Sequence, residues 1–63
     1  MPVITWEDPY CAEGNNCFRF GTDTDGNGYI AINGQESNYL TDSLEALRTL
    51  ITDIKAGKAD HLL

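Results

Sequence analysis

The chain has 63 residues, 41% of them hydrophobic, and a formal net charge of -6 at pH 7. This length allows one domain with one small core, which is marginal without further support, so a partner or a homodimer is plausible from size alone. Only four residues are basic, which disfavours direct binding to nucleic acid. An acidic surface suits a basic protein partner, or it serves solubility alone.

The N-terminal residues lack the charged start and apolar run of a signal peptide, and no apolar run approaches the roughly 20 residues of a membrane span. We therefore expect a cytoplasmic protein. In that reducing compartment Cys11 and Cys17 should be free thiols, although their spacing allows a small disulfide loop.

A short β-prone run, residues 2–6, is predicted to pair with one edge of a hairpin. Residues 7–16 contain Pro9, Gly14 and two asparagines, a composition typical of a loop. The aromatic rings of Trp6 and Tyr10 are expected to fold over the sheet as partly buried cover, with a recognition surface as the alternative.

The hairpin is predicted over residues 17–33, where a Gly/Asn/Asp cluster separates two runs of aromatic or β-branched residues. A three-residue loop, residues 24–26, places Gly26 at the left-handed position and sets Phe20 opposite Ile30. Four large apolar side chains then share the predicted core face: Phe18, Phe20, Ile30 and Ile32. The opposite face carries the alternate residues: Cys17, Arg19, Tyr29 and Ala31.

A third short strand is predicted at residues 38–40, followed by a helix over about residues 42–56. Asp42 is the expected N-cap, with Glu45 three residues later. Apolar residues recur at helical spacing on one stripe: Leu44, Leu47, Leu50, Ile51 and Ile54. Gly57 is expected to end the helix in a left-handed conformation and to begin a tail, residues 57–63.

Together these elements predict one α+β domain over residues 1–63. Its small antiparallel sheet would be a hairpin-centred meander of two to four short strands, packed against one C-terminal α-helix. The apolar helix stripe is expected to cover one face of the sheet, and binding to a membrane or to a partner helix is its functional alternative.

A calcium site is the main chemical alternative, because residues 23–30 match several positions of an EF-hand-like loop. Its ligands would be Asp23, Asp25, Asn27 and Tyr29. Two features oppose it: Gly34 stands where a bidentate glutamate should complete the site, and residues 7–16 replace the entering helix with helix breakers. Turn geometry explains the same glycines and acids, so we expect no metal and keep calcium binding as the alternative.

Other chemistry has weaker support. Cys11, Cys17 and His61 have no compact zinc-ligand spacing, and nothing in the sequence places a base and an orienting group beside a cysteine nucleophile. The carboxylates are scattered over loops and turns. We therefore predict a protein that is not an enzyme and that needs no cofactor.

Several short motifs together resemble a small actinobacterial family, domain of unknown function 397. Members typically carry a tryptophan, a Gly/Asn-rich stretch ending in Asn-Cys, a hairpin around Asp-Gly and a helix ending in a Lys-Ala-Gly-like sequence. The chain has the corresponding residues in the same order: Trp6, Tyr10, residues 14–17, residues 25–26 and residues 54–60. The pattern departs from the family at residues 33–37, usually of Arg-Asp-Ser type, and near Leu47, where an aromatic residue is common.

The resemblance implies a small acidic protein-interaction module, because family members look like accessory or antitoxin-like proteins. They are often encoded beside helix-turn-helix regulators of the XRE type, so the implied partner is such a regulator, without direct contact to nucleic acid or membrane. Contact is predicted on the hairpin face away from the helix and at nearby acids: Arg19, Tyr29, Ala31, Asp23 and Glu36. A homodimer of unknown task is a further alternative, since exposed sheet edges invite pairing.

Overall fold

The computed structural model describes residues 3–11 and 17–63. These residues form one antiparallel four-stranded sheet in the order β1-β2-β3-β4, followed by one α-helix. The strands are β1 (Thr5–Trp6), β2 (Phe18–Thr22), β3 (Asn27–Ile32) and β4 (Leu40–Ser43), and the helix is α1 (Leu44–Lys55). The predicted α+β class, a small antiparallel sheet with one C-terminal helix, is confirmed.

The register of the central hairpin is the predicted one. Phe20 lies opposite Ile30, and Phe18 lies opposite Ile32. The loop between the strands holds residues 24–26, and Gly26 has φ +85°, a conformation that residues with a side chain rarely adopt. At the N-terminus, β1 pairs with the free edge of β2 as expected, and residues 12–16 of the predicted loop lie outside the described residues.

Two boundaries after the hairpin differ from the prediction. A 3-10 helix at Glu36–Asn38 precedes β4, so the fourth strand begins only at Leu40. Asp42 lies opposite Gly28 within the sheet, and the helix therefore starts two residues later, with Ser43 as its N-cap. The Ser43 hydroxyl accepts the backbone N–H of Ala46 at 3.1 Å. The left-handed end at Gly57 is confirmed, with φ +89°.

Most of the hydrophobic core lies on the opposite sheet face from the predicted one. Tyr29 and Ala31 are 3% and 4% exposed, whereas Phe18, expected in the core, is 62% exposed. The rings of Trp6 and Tyr39 pack edge-on against Tyr29, with ring centroids 6.2 and 5.0 Å apart. Trp6 and Tyr39, which flank the hairpin in the sequence, therefore cover the face that was predicted to contact a partner.

The helix covers only one end of the other sheet face. It passes so close to β3 that a Cβ atom at Gly28 would lie 2.8 Å from the Cβ of Leu47. Leu47 is buried, but Leu50, Ile51 and Ile54 remain exposed. The prediction that the whole apolar stripe covers the sheet is therefore wrong beyond the first turn of α1.

A disulfide joins Cys11 and Cys17, so the expectation of two free thiols is wrong. Its cause is local: Tyr10 and Phe18 form an antiparallel bridge, in which the Tyr10 N–H donates to the Phe18 carbonyl at 2.8 Å. In that register the next residues, Cys11 and Cys17, face each other with Cα atoms 4.4 Å apart. The bond fastens the chain before β2 to the first residue of the hairpin.

Loss of this disulfide should lower the free energy of unfolding by about 2 kcal/mol, since the bond closes a short loop and restricts the unfolded chain. Urea denaturation with and without a reducing agent measures the change for the wild type. The double variant Cys11→Ser/Cys17→Ser should have the same free energy of unfolding as the reduced wild type, and the reducing agent should not change it. If the urea midpoint of the wild type were the same with and without the reducing agent, the predicted contribution of the disulfide to stability would be wrong.

Candidate interaction surface

The Asp23 carboxylate organises the loop of the hairpin. Its oxygens accept the backbone N–H groups of Asp25 at 2.8 Å and Asn27 at 3.0 Å, the Asn27 side-chain amide at 3.0 Å and the Tyr29 hydroxyl at 2.5 Å. The hydroxyl of Tyr29, followed by the Asn27 amide, lowers the pKa of Asp23 to about 2. The same hydrogen bond raises the pKa of Tyr29. Asp23 and Asn27 therefore stabilise the turn, as the sequence predicts.

This geometry gives the calcium alternative little support. The proposed ligand Asp23 already accepts hydrogen bonds from the turn on both oxygens, and strands, not helices, flank the loop. Within residues 3–11 and 17–63, no group of three or more His, Cys, Asp or Glu side chains could hold a metal ion. The cysteines of the weaker zinc hypothesis form a disulfide, and His61 lies in an exposed 3-10 helix.

Arg19 joins three parts of the chain. Its guanidinium donates to the Glu7 carbonyl at 2.7 and 3.1 Å, to Asn33 Oδ1 at 3.1 Å and to Glu36 Oε2 at 3.0 Å. The guanidinium carbon also lies 5.8 Å from the centre of the Trp6 ring, within range of a cation–π contact. Backbone N–H groups, above all that of Glu36 itself, and the Arg19 contact lower the pKa of Glu36. Arg19 and Glu36 therefore hold the fold together.

The predicted contact surface on the face away from the helix needs correction. Tyr29 and Ala31 are buried, and the Arg19 donors are used inside the protein. Asp23 and Glu36 are partly exposed, but both accept internal hydrogen bonds. Trp6 and Tyr39 occupy the space in which a partner was expected to bind Tyr29. The two acids, Arg19 and Tyr29 thus make internal hydrogen bonds, and Ala31 is part of the core.

The surface that remains apolar is the sheet face on the side of α1, together with the adjoining side of the helix. We call this surface the open face. Its exposed or half-buried side chains are Phe18, Phe20, Ile30, Ile32, Leu40 and Leu50. A groove of about 270 Å³ runs between β4 and α1, and a second depression of about 150 Å³ lies beside Phe18. Ile30 and Leu40 line both depressions, which therefore form one continuous apolar surface.

Sequence reasoning grouped the β2 and β3 members of the open face correctly but assigned them to the core. Leu40 was not singled out, because it stood at the end of a predicted three-residue strand. One signal was available: Gly28 shares the face of Ile30, and a glycine there permits a helix to approach only at that end of the strand.

Charge is distributed unevenly around this surface. Among the described residues, three basic side chains form ion pairs within the chain: Arg19 with Glu36, Arg48 with Glu45 and Lys58 with Asp53. The net charge of -6 therefore comes mainly from acids outside these ion pairs, such as Asp25 and Asp42. The open face itself is nearly free of charge, with Asp42 at one end of the groove.

In the part of the chain that the structure describes, no helix is long and apolar enough to cross a membrane. Comparisons with models of protein families, with curated proteins and with solved structures found no match. The resemblance to domain of unknown function 397 therefore stays a hypothesis that rests on the residues quoted for it.

Proposed function

We propose that the chain is a small, acidic, non-enzymatic protein-interaction module that binds its partner through the open face. The exposure of this apolar surface carries the proposal: Phe18 and Leu40 are 62% and 72% exposed beside two connected depressions. Soluble proteins rarely leave a large contiguous apolar patch uncovered unless it binds something. An apolar centre with charged surroundings is also the usual anatomy of a protein interface.

The resemblance to domain of unknown function 397 supplies the class of partner, a helix-turn-helix regulator of the XRE type. The net charge of -6 supports this choice, since a net negative charge attracts a basic DNA-binding protein. A partner of this class implies a cytoplasmic location. The Cys11–Cys17 bond opposes that location, because disulfides persist mainly in oxidising compartments.

The test is co-purification with the helix-turn-helix regulator encoded beside the protein. The module alone should bind no DNA, and its complex with the regulator should form at low salt and weaken as salt rises. Phe18→Ser removes an exposed aromatic anchor without changing charge, so it should weaken the complex about tenfold or more.

Leu63→Ser is the matched control, because Leu63 is fully exposed at the chain end and does not line either depression. It should bind as the wild type does. Absence of a complex at low salt, or equal binding by the Phe18→Ser variant, would defeat the proposal.

A further inference from the structure

The chain exposes more surface than a folded monomer of its size. Its accessible surface is 5001 Å², whereas a typical monomer of 7.0 kDa exposes about 4000 Å². Its radius of gyration is 12.4 Å, against about 11 Å for a compact domain of this length. The molecule measures 36 × 29 × 16 Å, so it is flat. On its open face Phe18 and Leu40 remain exposed beyond the part that the helix covers.

From this excess we infer that, in the absence of another partner, the open face is covered by a second copy of the chain. The excess of about 1000 Å² belongs to the whole chain, and the exposed side chains of the open face, such as Phe18 and Leu40, contribute to it. A stable interface buries about 800 Å² of each partner. Only four described apolar residues are buried, and none of them completely: Cys17, Tyr29, Ala31 and Leu47. A second copy would add the apolar core that one copy lacks.

The chemistry of the open face is compatible with a twofold-symmetric dimer. A twofold dimer places the same patch on both sides of the interface, so the patch must match itself in chemistry. The open face does so, because the six side chains that define it are apolar and, among the described residues, Asp42 is the one charged residue that lines its depressions. Two sheets packed face to face lie about 10 Å apart, close enough for Ile30 and Leu40 of both copies to interdigitate.

Charge gives this dimer a distinctive response to salt. Each copy carries a net charge of -6, so the two copies repel each other outside the apolar contact. Salt screens that repulsion, and the dimer should therefore tighten, or at least not weaken, as salt rises. The complex with a basic regulator should respond in the opposite way.

Sedimentation equilibrium of the intact, oxidised protein tests the inference at low and high salt. The wild type should have twice the mass of one chain. Leu40→Asp should be a monomer, because it places a charge in the centre of the contact, and its circular dichroism spectrum should be unchanged since Leu40 is 72% exposed. Leu63→Asp, with the same change of charge at the chain end, should remain a dimer.

A wild-type monomer at high salt would overturn the inference, and so would a Leu40→Asp variant that still dimerises. The inference rests on the same face as the proposed function, yet the two fail separately. A monomer that binds the regulator defeats only the dimer, and a dimer that never binds the regulator defeats only the proposed function.

Discussion

Tyr29→Ala should abolish stable folding. The Tyr29 side chain is 3% exposed, packs against the rings of Trp6 and Tyr39 and donates its hydroxyl to Asp23. Truncating a buried aromatic residue costs about 3–5 kcal/mol, which approaches the entire stability of a small domain. Circular dichroism and thermal unfolding measure the loss. Had Tyr29 been the exposed contact residue that the sequence predicted, the same change would leave the fold intact.

Tyr29→Phe separates the ring from the hydroxyl. This variant keeps the packing and loses the hydrogen bond to Asp23, so it should remain folded and lose about 1 kcal/mol. The pKa of Asp23 should rise, because the Tyr29 hydroxyl is the largest cause of its depression. An alanine variant as stable as the phenylalanine variant would contradict the buried position of the ring.

Gly28→Val should detach the helix from the sheet. A Cβ atom at this position would lie 2.8 Å from Leu47 Cβ and 2.9 Å from Leu47 Cδ2, closer than such atoms approach. Forcing extra volume into this contact costs about 3 kcal/mol. Valine is itself favoured in strands, so a loss of stability would arise from the helix contact and not from strand propensity.

A double-mutant cycle with Leu47→Ala isolates the contact. Leu47→Ala alone destabilises by leaving a cavity. In the Gly28→Val background it removes the Leu47 Cδ2 atom, 2.9 Å from the new Cβ, and makes room for the new methyl groups, although the contact with the Leu47 Cβ remains. The double variant should therefore be more stable than the sum of the single losses implies. Strict additivity, measured by urea denaturation, would show that the helix does not pack on Gly28.

The hairpin was predictable because its information is local. Side chains alternate along a strand, so requiring Phe20 and Ile30 on one face fixes the register, and Gly26 satisfies the left-handed loop position. The helix was predictable from its apolar spacing and from Gly57, with an error at the cap because Ser43 follows Asp42 and both can cap.

The core face was not predictable, because both faces of the hairpin carry apolar residues. The choice depends on Trp6 and Tyr39, which lie far from Tyr29 in the sequence and reach it only in the folded chain. The disulfide depends likewise on the bridge between Tyr10 and Phe18. Because the candidate contact residues were assigned from the choice of face, that one error placed core residues such as Tyr29 on the predicted contact surface.

The helix is held to the sheet at one end only. Its Ser43 cap and the Leu47 contact with Gly28 secure the first turns, whereas Ile51 and Ile54 project from the domain with exposed side chains. Amide hydrogen exchange in α1 should therefore follow a gradient, slow near Leu47 and fast near Lys55. Whatever covers the open face, a second copy or a regulator, would contact Leu50 in the middle of α1. Binding should therefore slow amide exchange there and extend the protected part of the helix beyond Leu47.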